Sequence, residues 1–122
     1  MARILIIDDN DFVRNMLKET MERAGYEVET AVNGVEGVER FRKISCDLVI
    51  TDLIMPEKEG IETIMDLKKD FPAVKIIAIS GGGRVGPTNY LKFAEMLGAA
   101  YTFTKPVDRK ALLKAVKVLL QP

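Results

Sequence analysis

Arg3-Ile4-Leu5-Ile6-Ile7-Asp8-Asp9, near the start of the 122-residue chain, carries four consecutive aliphatic side chains and ends them with two acids. A strand with one wet face alternates apolar and polar residues, whereas an unbroken apolar run reads as a strand covered on both faces. Ile76-Ile77-Ala78-Ile79 has the same character. Working outward from these two runs, strands are predicted at 3–7, 27–30, 48–51, 74–79 and 100–104.

Segments of helical period fill the gaps. Phe12, Val13, Met16, Leu17, Thr20, Met21 and Ala24 recur at i, i+3 and i+4 and predict one inward stripe, which Gly25 then ends. A second helix is predicted over 34–43, where Asn33 and Glu36 have capping-box spacing. A third covers about 59–69 and closes before Phe71-Pro72. The fourth starts near Pro87 or Thr88, with proline suited to a first helical position, and ends at Gly98. The last follows Asp108, a candidate N-cap, to about 120, with Ala111, Leu112, Ala115, Val116 and Leu119 inward.

Five βα units in succession imply an α/β fold, with a parallel, doubly wound sheet and right-handed crossovers. The length fits an open, flavodoxin-like (βα)5 sheet of strand order 2-1-3-4-5, whereas a closed eight-unit barrel needs about twice the chain. No repeat or linker divides it, so residues 1–122 are read as one domain. Ligands of such sheets bind beyond the carboxyl ends of the strands.

Composition narrows the chemistry. Lysine plus arginine equals aspartate plus glutamate, 18 each, which leaves no net field to gather nucleic acid or anionic lipid. Arg40, Arg42 and Lys43 read as a solvated helix face. The apolar run at the N-terminus is too short for a signal-peptide core or a membrane span, so a cytoplasmic protein is expected. Cys46 is the only cysteine and histidine is absent, which excludes an internal disulfide, zinc–histidine sites and imidazole catalysis. Cys46 itself reads as a buried or half-buried structural thiol.

Polar groups then gather where strands end. Asp8 and Asp9 follow the first strand, Asp52 the third, Ser80 the fourth, and Lys105 ends the fifth. Each has a bland explanation alone: a loop and N-cap pair, a turn residue before Pro56, a polar loop start, a solvated lysine. Their joint placement at four strand ends outweighs those explanations. Three crowded carboxylates repel, a hard divalent cation relieves the repulsion, and sparse oxygen ligands suit Mg2+. A carboxylate can attack phosphorus to form an acyl phosphate, while a lysine, a hydroxyl and the metal neutralise the transferring group.

These residues closely resemble the receiver domain of bacterial two-component response regulators, and the likeness runs essentially from end to end. It rests on Ile4-Leu5-Ile6-Ile7-Asp8-Asp9-Asn10, on Asp47-Leu48-Val49-Ile50-Thr51-Asp52-Leu53-Ile54-Met55-Pro56 with Gly60 following, on Ile79-Ser80-Gly81 and on Lys105-Pro106. The resemblance implies that Asp52 accepts a phosphoryl group from a sensor histidine kinase or phosphotransfer protein. It implies that Asp9 ligates Mg2+ directly, Asp8 through water, and Ile54 through its main-chain carbonyl. Lys105 would pair with the phosphoryl group and Ser80 would move toward it. The surface of the fourth helix, fifth strand and fifth helix would then meet a downstream protein target. Such a domain is a switch rather than an enzyme, capable at most of self-phosphorylation from small donors and autodephosphorylation. No direct nucleic-acid or membrane partner is implied.

Two departures stand out. The family often has Tyr or Phe three residues before the lysine; here that position is Thr102, between Tyr101 and Phe103, which strand alternation turns to the opposite face. With Thr102 in place of the coupled aromatic, output is expected to rely more on the loop after the fourth strand and on the fourth helix. That loop, Ser80-Gly81-Gly82-Gly83-Arg84-Val85-Gly86, is a few residues longer than the family's usual one. The rival from another class is a haloacid-dehalogenase-like phosphatase, whose Asp-x-Asp-x-Thr/Val motif Asp9-Asn10-Asp11-Phe12-Val13 resembles, with Asp9 as nucleophile. A degenerate, never phosphorylated receiver and the receiver piece of a longer regulator are further readings.

Overall fold

The computed structural model describes residues 2–53, 60–81 and 87–121, with 87–91 described by backbone alone. Ten elements alternate: β1 (Arg3–Ile7), α1 (Asp11–Arg23), β2 (Glu27–Ala31), α2 (Gly34–Lys43), β3 (Leu48–Asp52), α3 (Gly60–Asp70), β4 (Lys75–Ser80), α4 (Pro87–Met96), β5 (Tyr101–Thr104) and α5 (Arg109–Leu120). The strands form one parallel sheet in the expected order β2-β1-β3-β4-β5. No helix among the described residues is long and apolar enough to cross a membrane.

Alternation along each strand divides the core. Leu5 and Ile7 of β1, Val49 of β3 and Ile76 and Ala78 of β4 pack with Val38 and Phe41 of α2, Ile64 and Leu67 of α3 and Ala94 of α4. Ile4, Ile6, Leu48, Ile50, Ile77 and Ile79 point the other way, onto Leu17 and Met21 of α1 and Leu112, Ala115 and Val116 of α5. Both faces are covered, which is why the strand runs are continuously apolar. Gly37 lets α2 lie close on β1: a Cβ there would fall 2.3 Å from Ile7 Cδ1.

The ladder outlasts the apolar runs. Ala31, Asp52 and Ser80 are strand residues, in register with Ile7, Ile79 and Thr104. Main-chain pairing does not depend on the side chain's polarity, so hydropathy ended β3 and β4 one residue early. The inward stripes also need correction. Phe12 is 79% exposed, because it belongs to the first turn of α1 at the sheet's edge, where nothing described covers it. Ala24 and Ala111, at the ends of their helices, are exposed as well.

Caps follow the predicted chemistry. The side chains of Asn10, Asn33 and Asp108 accept from the N–H groups of Val13, Glu36 and of Lys110 and Ala111 respectively. The Glu36 carboxylate pairs with Arg40 at 3.4 Å. Gly25, at φ +97°, takes the chain out of α1 in a conformation that costs glycine little.

Cys46 is half-buried beside the α2–α3 layer, and its thiol donates to the Ile44 carbonyl at 3.4 Å. Burial pushes its pKa up to about 11, partly offset by Arg3. Because folding favours the neutral thiol, alkylation of the folded chain should keep accelerating with pH toward about 11. In urea the rate should level off near the ordinary thiol value of about 8.5. An iodoacetamide rate–pH profile measured in both states checks this, and coincident profiles would contradict it.

Candidate functional site

Each strand end delivers one part of the site. Asp52, the last residue of β3, is 4% exposed, and Leu53 just beyond it donates its N–H to the Ile79 carbonyl at 2.9 Å. Asp8 follows β1 and is 1% exposed; its N–H donates to the Ala31 carbonyl and its Oδ1 accepts from the Asn10 N–H. Asp9, next in the chain, is exposed. One carboxylate oxygen from each of Asp8, Asp9 and Asp52 lies within 4.8 Å of the others.

Lys105 enters from the end of β5. Its N–H donates to the Ser80 carbonyl at 2.9 Å, and its Nζ stands 3.0 Å from Asp8 Oδ2 and 3.3 Å from Asp52 Oδ2. Burial alone would lower the ammonium's pKa. The charge of Asp52, with the ion pair to Asp8, outweighs burial and holds it above the ordinary lysine value. The lysine stem runs past Gly81, where a Cβ would meet its Cδ at 2.9 Å. The following Lys105–Pro106 bond is cis. Ser80 Oγ is fully buried and has no hydrogen-bond partner among the described residues.

Three carboxylates thus face one ammonium. Two unit charges within 4.8 Å of each other repel by at least about 3 kcal/mol at an effective dielectric of about 20. Asp8 Oδ2, buried and ion-paired with Lys105, has no aligned hydrogen bond. An all-oxygen donor set with a surplus of negative charge and an unsatisfied buried oxygen fits a hard divalent cation. Among the described residues no other cluster of acids, histidines or cysteines offers this.

The sequence-predicted residues Asp8, Asp9, Asp52, Ser80 and Lys105 therefore lie at one edge of the sheet. Ile54 lies outside the described residues, as does the 82–86 stretch of the long loop. Thr102 pairs in register with Ala78 and donates from its hydroxyl to Glu95 of α4 at 3.2 Å. Phe103 packs on the opposite face, with the α1–α5 layer, as alternation required. Asp11, the second acid of the phosphatase-like motif, stands apart: it is 82% exposed and ion-paired with Arg14. Arg14 escaped the sequence reading of the site, and Gly60, quoted there only as part of the family motif, was given no role. Arg14 donates to the Asp8 carbonyl at 2.8 Å, and its only signal was i,i+3 spacing from Asp11. Gly60 packs its Cα against the backbone of Asp52 and Leu53. A cleft near Phe41, Phe71 and Lys75 carries none of these groups.

A doubly wound sheet with an acid cluster, a lysine and a buried hydroxyl at its carboxyl edge defines a class of protein that handles a charged group there. Residues 4–117 match the family described as the response regulator receiver domain. The chain belongs to that family. It is similar to chemotaxis protein CheY of Treponema pallidum, 35% identical over an alignment of 122 positions that covers 98% of this chain and 83% of the relative. A receiver domain structure from Clostridium thermocellum superposes with a TM-score of 0.90 at 32% identity, covering 98% of this chain and 94% of that one. Response regulator TrrA of Thermotoga maritima, solved in complex with Mg2+–BeF, superposes at 0.87 with 32% identity, covering 98% of this chain and 100% of that one. The chain is thus a two-component response regulator, a signalling switch rather than a phosphatase of the dehalogenase type.

Gly60 offers a direct check on how the site is held. A Cβ there would sit 2.1 Å from the Asp52 carbonyl oxygen and 2.5 Å from Leu53 Cα, both main-chain atoms that cannot rotate away. Gly60→Ala should therefore destabilise the chain by about 1–3 kcal/mol, read as a lowered urea midpoint. An unchanged midpoint would show that the packing of α3 on β3 is looser than described.

Proposed function

We propose that residues 1–122 act as one receiver domain, switched by transfer of a phosphoryl group from a histidine of a sensor kinase or phosphotransfer protein to Asp52. The observation that carries this reading is the placement of Asp52: buried at a strand end, with Lys105 Nζ at 3.3 Å and two further acids within reach. Asp52 Oδ attacks phosphorus, the P–N bond to the donor imidazole breaks, and the electron pair stays on the imidazole nitrogen. An acyl phosphate remains on Asp52, and attack by water on its phosphorus later returns the carboxylate and inorganic phosphate.

Asp9 and Asp52, with Asp8 through water and the main-chain carbonyl of Ile54 as the family resemblance implies, would hold Mg2+, which would supply charge neutralisation for the transferring group. A hard ion beside carboxylates agrees with the Mg2+–BeF named for the TrrA structure. Lys105 follows the charge: on transfer its ammonium exchanges part of its pairing with Asp52 for a phosphoryl oxygen. Ser80 has a buried hydroxyl whose proton no described residue accepts, so it is free to donate to the phosphoryl group. A shift of Ser80 toward the phosphoryl group is proposed to reach α4, which Thr102 of β5 holds through Glu95.

Output goes through the α4–β5–α5 surface to a downstream protein. Exposed Phe93, Met96, Tyr101 and Val118 on these elements support a protein partner rather than nucleic acid or membrane. A sensor-kinase donor supports a cytoplasmic location. Small phosphoryl donors should also charge Asp52, and the same site should discharge it.

Labelling with a small radioactive phosphoryl donor tests the assignment. The wild-type chain should take up one acid-labile phosphate per chain in the presence of Mg2+, and Asp52→Asn none. Lys105→Ala should slow uptake by roughly 10²-fold or more. Uptake that survives Asp52→Asn but is lost in Asp9→Asn would move the nucleophile to Asp9 and overturn the reading.

A further inference from the structure

The cations of α1 fall into two kinds. Lys18 and Arg23 pair with Glu22 and Glu19 one turn away, in solvent, with side chains 44% and 78% exposed. Such pairs contribute little. Arg14 differs: its side chain is only 13% exposed, and it folds back toward the helix start. Nη1 donates to the main-chain carbonyl of Asp8 at 2.8 Å, and Nη2 pairs with the Asp11 carboxylate. The Asp8 N–H and Oδ1 are also engaged, by the Ala31 carbonyl and the Asn10 N–H.

A peptide unit is planar, so the direction of the Asp8 carbonyl fixes the N–H and Cα of Asp9. From the geometry we infer that Arg14 is a positioning residue for the acid cluster: its grip on the Asp8 carbonyl sets the Asp8–Asp9 peptide and thereby aims the Asp9 carboxylate at Asp8 and Asp52. Asp9 needs such a device. It is the exposed member of the trio, and among the described residues no side chain pairs with it, whereas Asp8 and Asp52 are held by Lys105. Arginine suits this task because its planar fork donates to two acceptors at once and stays charged at any working pH.

This inference rests on the metal reading of the site, and one set of titrations separates the two. Mg2+ alone is titrated calorimetrically into the full chain as wild type, Asp9→Asn, Arg14→Gln and Arg14→Lys, each below its unfolding temperature. Arg14→Gln should weaken Mg2+ about tenfold, the size of effect usual when a group that orients a ligand is lost. Arg14→Lys, a single-point donor, should fall between it and wild type. Phosphoryl uptake by Arg14→Gln should need correspondingly more Mg2+ yet reach the wild-type rate at saturation, a split that general loosening of the fold would not give. If Asp9→Asn loses Mg2+ while both Arg14 variants bind it as wild type does, the Arg14 proposal is overturned and the metal site stands. If wild type takes up no Mg2+, or Asp9→Asn binds it unchanged, both readings fall. Should Arg14→Gln not fold, Arg14→Lys decides alone: affinity weakened severalfold supports the proposal, and wild-type affinity overturns it.

Discussion

The crowding of carboxylates at the carboxyl edge of the sheet is the constraint on which the rest depends. Asp8 and Asp52 are nearly inaccessible to water, and one oxygen from each lies within 4.8 Å of the other and of Asp9. A site like this stores repulsion unless positive charge is brought to it. Lys105 brings one charge, from a strand two places away from β3 in the sheet order. The fold exists in this form because β1, β3, β4 and β5 are parallel, so that their last residues arrive at one edge together. An antiparallel arrangement of the same strands would send half of these side chains to the other end.

The same constraint explains what the backbone does around the site. Gly60 brings the start of α3 against the Asp52 carbonyl, and Gly81 leaves a lane for the Lys105 stem. Arg14 and Asn10 both bond to Asp8, one through the main chain and one through the carboxylate. These groups contribute no chemistry of their own to the transfer. They hold a charge-rich edge in one arrangement, with Ser80 and Lys105 beside Asp52. Thr102 replaces the aromatic residue common in the family at this position and makes a hydrogen bond to Glu95 instead, which joins β5 to α4 directly.

Much of this was legible in the sequence, for identifiable reasons. Ile4–Ile7 and Ile76–Ile79 read as doubly covered strands because covering both faces removes the need for polar residues, and the sheet has that structure. Asp8, Asp9, Asp52, Ser80 and Lys105 could be named because a parallel sheet turns strand ends into neighbours. Strand ends were less legible, since Asp52 and Ser80 continue a ladder that side-chain polarity does not record. Phe12 and Ala111 show the matching failure in helices: periodicity gives the direction of a side chain but not whether a second layer reaches that turn. Arg14 was invisible because its partner is a main-chain carbonyl, which every residue has. The role of Gly60 was hidden for the same reason, its contact being with backbone.

The central claim is that Asp52 alone carries phosphorus as an acyl phosphate. Reduction of the phosphorylated chain with borohydride, followed by mass-spectrometric sequencing, reads this directly, because hydride converts an aspartyl phosphate to homoserine at the modified position. The account predicts homoserine at position 52 and unmodified aspartate at 8, 9 and 11. Homoserine at position 9, or a borohydride-resistant phosphate on Ser80, would contradict it.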